Sequence, residues 1–373
     1  MKKASLPKGS ACCGCAACQQ RCPRECIAML ADGEGFLYPS VDVDKCVGCG
    51  LCEKSCPSLT PNEERNPEAT YAVINLDDNI RLKSSSGGVF TLLAEACITN
   101  GGVVFAARFD DSWKVVHDKV DNPDYLKFFR GSKYSQSCIG DSYKLTRSLL
   151  DEGRSVMFVG TPCQIAGLNR YLDKSSELLL TVDFVCHGVP SPAVWNWYVK
   201  QQSYRMTHDS WLQRLRYWLH PVSPIRQIEF RNKEAGWKQY KTFIQSKDMA
   251  RLDLNQFHFE NAYMRAFLTD LDLRPSCHEC RFKSGRSHSD MTIADFWNVH
   301  KVVDGFDDDK GTSLVMVNTR KGAEAFKKLS CRYQQVDFHE AIQYNPAWSK
   351  AFPANSRRAE FFRDYQKRFN DFI

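Results

Sequence analysis

The chain has 373 residues, 43% of them hydrophobic and 25% charged, which excludes a disordered or fibrous polypeptide and leaves room for about two to three domains. Its formal charge of +6 counts all seventeen cysteines as neutral, so the excess is no signature of nucleic-acid binding while those thiols are unassigned. No run approaches the roughly 18 apolar residues of a membrane helix, and the basic start MKKASLPKGSACC has no apolar stretch behind it. The reading is a cytoplasmic protein whose cysteines ligate metal rather than form disulfides.

Ten of the seventeen cysteines lie between Cys12 and Cys56. Cys12, Cys15, Cys18 and Cys22, followed by Pro23, and Cys46, Cys49, Cys52 and Cys56, followed by Pro57, both read C-x2-C-x2-C-x3-C-P. That is the run of a bacterial two-cluster ferredoxin. Three cysteines on one tight loop wrap one [4Fe-4S] cubane, and the fourth reaches the other cluster. The expected sets are Cys12, Cys15, Cys18 with Cys56, and Cys46, Cys49, Cys52 with Cys22. Structural zinc uses separated C-x2-C pairs and does not account for this doubled pattern. Each oxidised cubane with four thiolates carries about two negative charges, so two or three bring the holoprotein near neutrality. Cys13 and Cys26 fall outside the pattern and read as spare thiols nearby. Gly35-Phe36-Leu37-Tyr38-Pro39 reads as a short hairpin between the motifs.

From Ser58 to Ala69 the chain is polar and proline-containing, a linker. Strands and helices then alternate. Tyr71–Leu76 predicts a strand, Gly87–Thr99 a helix with Ser84–Ser86 as candidate caps, Gly102–Arg108 a strand and Asp141–Glu152 a helix. Ser155–Val159 and Leu178–Val185 predict strands, each followed by a helix, Gln164–Leu172 and Pro192–Gln202. Trp211–Trp218 mixes basic and aromatic residues and reads as a helix with snorkelling arginines. Gln227–Phe230 and Trp237–Ile244 look like hairpin strands, Gln256–Leu271 a helix, and Met291–Phe296 and Ser313–Asn318 strands. Gly322–Leu329 and Ala359–Asn370 close the chain as helices. The fold class is α+β and α/β. A ferredoxin-like domain (1–60) and a linker (61–69) precede a larger α/β domain with a mixed sheet, in parts 70–153 and 154–320, and C-terminal helices (321–373).

Ser84-Ser85-Ser86-Gly87-Gly88-Val89-Phe90-Thr91 joins a strand to a helix start that offers free N–H groups to a phosphate; a plain N-cap is the alternative. Gly160-Thr161-Pro162-Cys163-Gln164 and Cys186-His187-Gly188-Val189-Pro190 each follow a strand, where α/β sheets build sites. Cys163, Cys186, Cys277 and Cys280 are candidates for a third [4Fe-4S] cluster, with buried thiols plus a zinc-type C-x2-C pair as the alternative. His187 has the chemistry of a proton donor, or hydrogen-bonds a loop. Arg274, Lys283 and Arg286 flank the late pair as candidates to hold a substrate anion, or as surface charge. Cys97, Cys138 and Cys331 read as packing residues.

Taken in order, Ser86-Gly87-Gly88, Gly131-Ser132-Lys133-Tyr134, Gly160-Thr161-Pro162-Cys163-Gln164, Cys186-His187-Gly188-Val189-Pro190-Ser191 and Cys277-x2-Cys280 with Asp290-Met291-Thr292-Ile293-Ala294-Asp295-Phe296-Trp297 resemble the coenzyme F420 hydrogenase/dehydrogenase beta-subunit family. The resemblance spans roughly residues 70 to 320. It implies an FAD-binding α/β domain that exchanges electrons between iron–sulfur clusters and a two-electron partner such as coenzyme F420; related enzymes reduce chlorophyll precursors. It implies cofactor contacts at Ser86, Gly87, Gly88, Val89, Thr91, Ser132, Lys133, Tyr134, Thr161, Pro162 and Gln164, and catalytic roles for His187 and Lys133. Ala294 and Asn298 stand where glycines flank Asp-Phe-Trp in the family, which leaves the substrate open. The expected activity is an FAD and iron–sulfur oxidoreductase served by ferredoxin or a similar carrier, acting on a small molecule, as a homo-oligomer or complex member. The alternatives are an electron-transfer subunit with no substrate of its own and a cluster-bearing regulatory protein.

Overall fold

The computed structural model describes residues 4–207, 224–247 and 253–372; the Trp211–Trp218 segment lies outside them. Near the N-terminus, β1 (Ile27–Ala31) and β2 (Leu37–Val41) form the antiparallel hairpin expected between the cysteine motifs. Eight strands then make one sheet: β3 (Ala69–Asn75), β4 (Val103–Phe109), β5 (Val115–Val120), β6 (Val156–Gly160), β7 (Leu179–Phe184), β11 (Met291–Asp295), β12 (Ser313–Val317) and β13 (Cys331–Gln335). Their order is β13-β3-β12-β11-β7-β6-β4-β5. The four neighbours β4, β6, β7 and β11 run parallel and the outer pairs antiparallel, so the sheet is mixed as expected. Three further strands, β8 (Ile225–Asn232), β9 (Lys241–Ser246) and β10 (Leu254–Phe257), form a second antiparallel sheet.

Alternation along the strands builds both faces of the large sheet. Val104, Ala106, Met157 and Val159 point to one core, which receives Val89, Leu93, Ala94 and Ile98 of the helix Val89–Thr99. Val103, Phe105, Val156 and Phe158 point to the other, shared with Ile165 and Leu168 of the helix Pro162–Leu172. All five residues of β6 and of β12 are buried, as strands covered on both faces must be. A third core joins β8 and β9 to Val194, Trp195, Tyr198 and Val199 of the helix Pro192–Thr207 and to Phe361 and Tyr365 of the helix Arg358–Arg368.

The structure corrects the sequence at several places. Gln256–Leu271 is not one helix: Leu254–Phe257 pairs with β9, and Asn261 caps a shorter helix, Ala262–Leu268, by accepting from the Met264 N–H at 3.1 Å. The helix after the Ser-Gly-Gly segment is entered through Gly88 at φ +88° rather than capped by a serine. Ser86 instead donates to the Thr312 carbonyl at 2.7 Å. Strands β5 and β13 were not expected.

The N-terminal segment is seated on the sheet body at defined points. Glu34 receives both guanidinium arms of Arg358, and its carbonyl accepts from Ser191 Oγ. Gly35 has φ +84°, and a Cβ there would stand 2.4 Å from Ala193 Cβ and 2.7 Å from its amide nitrogen. Gly35→Ala is therefore expected to lower the apparent melting temperature of the holoprotein, with an overpacking cost of roughly 1–3 kcal/mol. An unchanged melting curve would show that the hairpin tip does not bear on the helix start. The linker is held too: the Arg65 amide donates to the Ser284 carbonyl at 3.0 Å and Arg170 to the Thr60 carbonyl at 2.8 Å.

Candidate functional site

The doubled motif folds into two thiol-lined places. A small hollow is lined by Cys22, Cys46, Cys49 and Cys52, together with Gly48 and Gly50. These are the four ligands that the crossed arrangement assigns to one cubane. Cys49 is exposed, so this site lies at the surface. Cys26, read as a spare thiol, lines the same hollow with its sulfur 3.3 Å from Cys22 Sγ. Cys12, Cys15, Cys18 and Cys56 are all buried. Cys12, Cys18 and Cys56 stand close enough for their thiol charges to interact, and Cys15 lies within such reach of Cys18. This inner set lies against the sheet body: a Cβ on Gly167 of the helix Pro162–Leu172 would meet Cys15 Sγ at 2.9 Å.

The late cysteines converge as well. Cys163 opens the helix after β6, Cys186 follows β7, and Cys277 and Cys280 come from the turn after the helix Ala262–Leu268. Cys163 interacts with Cys280, Cys280 with Cys186, and Cys186 with Cys277. The Val189 amide donates to Cys277 Sγ at 3.4 Å, which ties the two loops together. Cys13, outside the pattern, lies close enough to Cys15 and Cys163 for the thiols to interact and accepts from Ser58 Oγ at 3.7 Å, so it stands between the inner and the late set. Among the described residues no three His, Cys, Asp or Glu side chains close around a single ion.

Beside the late set opens a cavity of about 480 Å³, and Cys186 is part of its wall. Its volume lies within the roughly 300–1,000 Å³ of small-molecule and cofactor sites. Ser86, Gly88, Val89, Ser132, Lys133, Tyr134, Thr161, Gln164 and His187 line it. Gly87, Thr91 and Pro162 stand behind that wall. A Cβ on Gly87 would meet the Val73 carbonyl at 2.4 Å, so this residue lets the loop lie flat on β3 and β12. Thr91 is buried and accepts from Arg130 Nε at 3.0 Å, while Pro162 is the first residue of its helix.

The lining residues are tied to one another. The Ser132 amide donates to Ser85 Oγ at 2.7 Å. Lys133 donates to the carbonyls of Phe129, Arg130 and Gly131 at 2.8, 3.0 and 3.1 Å, which commits its three N–H bonds to the loop it sits on. Burial brings its amine down to about 7. His187 Nε2 lies 2.7 Å from Asp270 Oδ1, and the ring is flanked by Phe267 and Phe352.

Several lining residues carried no signal in the sequence, His117 and Arg231 foremost. His117 on β5 meets the Val159 carbonyl through Nε2 at 2.9 Å, so Nε2 bears the proton and Nδ1 accepts from Ser137 Oγ at 2.9 Å. Ser137 accepts from Gln164 Nε2 at 2.9 Å, and Gln164 Oε1 accepts the Thr161 N–H at 2.9 Å. This chain is satisfied only with a neutral imidazole, and burial lowers the His117 pKa to about 4. A base depressed below its ordinary 6.5 gives stability that is present above that pH and lost as pH falls toward 4. The melting temperature is expected to drop across that window, and His117→Gln to remove that part of the drop; a variant with the same profile would contradict it. Arg231 on β8 is the other: it binds Asp295 at 2.9 Å and Tyr134 Oη at 3.3 Å, with Tyr240 stacked at 4.0 Å.

The late basic residues do not project into this cavity. Arg274 and Lys283 are buried on backbone carbonyls, and Arg286 pairs with Glu64 at 3.0 Å. The expectation that they hold a substrate anion is replaced by these contacts.

A thiol-rich N-terminal segment packed on a mixed α/β sheet with a late cysteine set defines an iron–sulfur protein of the electron-transferring oxidoreductases. Residues 153–337 match the family described as the C terminus of the coenzyme F420 hydrogenase/dehydrogenase beta subunit, and residues 37–58 match a 4Fe-4S binding domain. Residues 153–337 thus carry the C-terminal domain of the coenzyme F420 hydrogenase/dehydrogenase beta-subunit family, behind a 4Fe-4S domain near the N-terminus. No curated protein matches it. Among solved structures, a chain of the F420-reducing [NiFe] hydrogenase complex from Methanosarcina barkeri is similar at 15% identity, over 83% of this chain and 92% of that one, with a TM-score of 0.46. No helix among the described residues is long and apolar enough to cross a membrane.

Proposed function

We propose that the chain is an iron–sulfur flavoprotein oxidoreductase. It takes electrons from a ferredoxin-like carrier and delivers them to an organic two-electron substrate at FAD in the 480 Å³ cavity, or runs in reverse. The observation that carries this reading is Cys186, which belongs both to the late cysteine set and to the cavity wall. Bound clusters supply one-electron transfer and a bound flavin supplies the switch to hydride chemistry.

The residues have separate tasks. Cys22, Cys46, Cys49 and Cys52 hold the outer cluster where a carrier can approach, and Cys12, Cys15, Cys18 and Cys56 hold the inner one. Cys163, Cys186, Cys277 and Cys280 hold the third. Ser84, Ser85, Ser86, Gly88 and Ser132 line the part of the cavity, at the start of the helix Val89–Thr99, that would take the phosphate of a cofactor. Tyr134, Tyr240, Phe267 and Trp297 give the cavity an apolar lining that excludes water. His187, fixed by Asp270, is placed to hold or move a proton at its ring.

The test adds a reduced ferredoxin anaerobically to the purified protein and follows the flavin absorbance, in wild type and in Cys49→Ala. Bleaching in wild type that slows sharply in the variant supports the route. Equal bleaching in both would contradict it.

A further inference from the structure

Three arginines are buried among the described residues: Arg81, Arg231 and Arg274. Arg81 binds Asp308 at 2.7 Å and Arg231 binds Asp295 at 2.9 Å. Arg274, at 0% exposure the most buried, meets no carboxylate. Its Nε donates to the Cys12 carbonyl at 2.9 Å, Nη1 to Gln136 Oε1 at 2.8 Å and Nη2 to the Leu37 carbonyl at 2.9 Å. Tyr38 and Phe36 cover it, with ring centres 4.3 and 5.4 Å away. Lys283 repeats the theme: buried, it donates to the carbonyls of Cys186 and Ala347 at 2.5 and 2.8 Å.

Carbonyl dipoles orient a cation without cancelling its charge. A buried charge without a counter-charge costs several kcal/mol, and an isolated guanidinium cannot shed its proton to escape. Among the described residues Lys233 is likewise buried on three carbonyls, those of Arg81, Ser86 and Lys310, but away from the cysteines; Arg274 and Lys283 are the two such cations that stand among the cysteine sets. Arg274 holds the backbone of Cys12, and its own carbonyl accepts the Cys277 N–H at 2.9 Å, so it touches the inner and the late loops together. Its charge acts on Cys12, Cys13 and Cys277, and that of Lys283 on Cys186 and Cys280. A cubane with four thiolates carries about two negative charges when oxidised and one more when reduced.

We propose that Arg274 and Lys283 are the built-in counter-ions of the inner and the late clusters, and that they raise the reduction potentials of those clusters by favouring the more negative, reduced form. This rests on the reading that both cysteine sets hold cubanes. Among the described residues the outer hollow has no such partner: Arg24, which lines it, is exposed, and water screens its charge. The electrostatic device belongs to the interior, where the local dielectric is low.

The test is a redox titration of the anaerobically purified holoprotein followed by electron paramagnetic resonance, with iron counted in each sample. Arg274→Met removes the charge and keeps most of the bulk; Arg274→Lys keeps the charge. The expected result is a midpoint for the inner cluster moved to more negative potential in Arg274→Met, near wild type in Arg274→Lys, with the outer signal unmoved in both. Lys283→Met against Lys283→Arg should do the same for the late cluster. Loss of iron in the methionine variant alone also supports a counter-charge. Full iron with unmoved midpoints in Arg274→Met overturns the proposal, as does an equal shift or equal iron loss in both arginine variants, which would make Arg274 a packing piece. Wild-type protein without iron would contradict the cluster reading itself, and the iron count shows that before any variant is compared.

Discussion

Cys186→Ala is expected to lower the iron content from about twelve to about eight per chain while leaving the signals of the two N-terminal clusters in place. The late set draws its four thiols from three loops, so removal of one leaves an incomplete shell with no neighbouring cysteine of its own loop to replace it. The N-terminal sets sit on other elements and keep all eight thiols. Cys97→Ala is the control: Cys97 contacts the Val103 carbonyl at 3.8 Å, away from the late set, and its loss should leave iron unchanged. If Cys186→Ala keeps its full iron, the late cysteines are packing thiols and the third cluster does not exist. If zinc accompanies Cys277 and Cys280 in both proteins, the alternative of a zinc-type pair holds instead.

Asp272→Asn is expected to raise stability at alkaline pH and to flatten the pH profile between about 4 and about 8. Asp272 is fully buried, and neither carboxylate oxygen has a hydrogen-bond partner. Burial pushes its pKa up from 3.8 to about 8, against a weaker pull from its own backbone and from Arg358. For a carboxyl raised in the fold, the folded state holds a proton that the unfolded chain has already lost, so stability falls as pH rises from the unfolded value through the folded one. Above pH 8 the penalty is on the order of a few kcal/mol, at about 1.4 kcal/mol per pKa unit. The asparagine side chain has no charge to bury and escapes it. Melting curves of the holoproteins at pH 5 and 8.5 decide the matter: a wild-type drop absent from the variant supports the account, and parallel profiles contradict it.

The metal-binding part was the most legible in the sequence because its geometry is local. The C-x2-C-x2-C spacing brings three thiols onto one loop whatever the rest of the chain does, and the fourth cysteine is placed by the motif itself. The central strands β6 and β12 were legible because burial on both faces leaves unbroken apolar runs such as Val156-Met-Phe-Val. Strand β13 was hidden because it is an edge: four of its five residues are exposed, and Cys-Arg-Tyr-Gln-Gln has no apolar alternation. Strand β5 was hidden because His117 and Lys119 interrupt its pattern, although His117 is buried. The cavity residues His117, Ser137 and Arg231 come from separate elements, and only the folded sheet joins them to Gln164 and Tyr134. Arg274 was misread for a related reason. Its neighbours in the chain suggested an exposed charge, while its three acceptors come from residues 12, 37 and 136.

The central claim is that one chain holds three cubanes and a flavin in series. Anaerobic purification, with iron, sulfide and flavin counted per chain and an ultraviolet–visible spectrum recorded, tests it most directly. The account predicts about twelve irons, as many sulfides and one FAD. About eight irons without flavin would contradict it and leave a two-cluster carrier that works as a subunit of a larger complex.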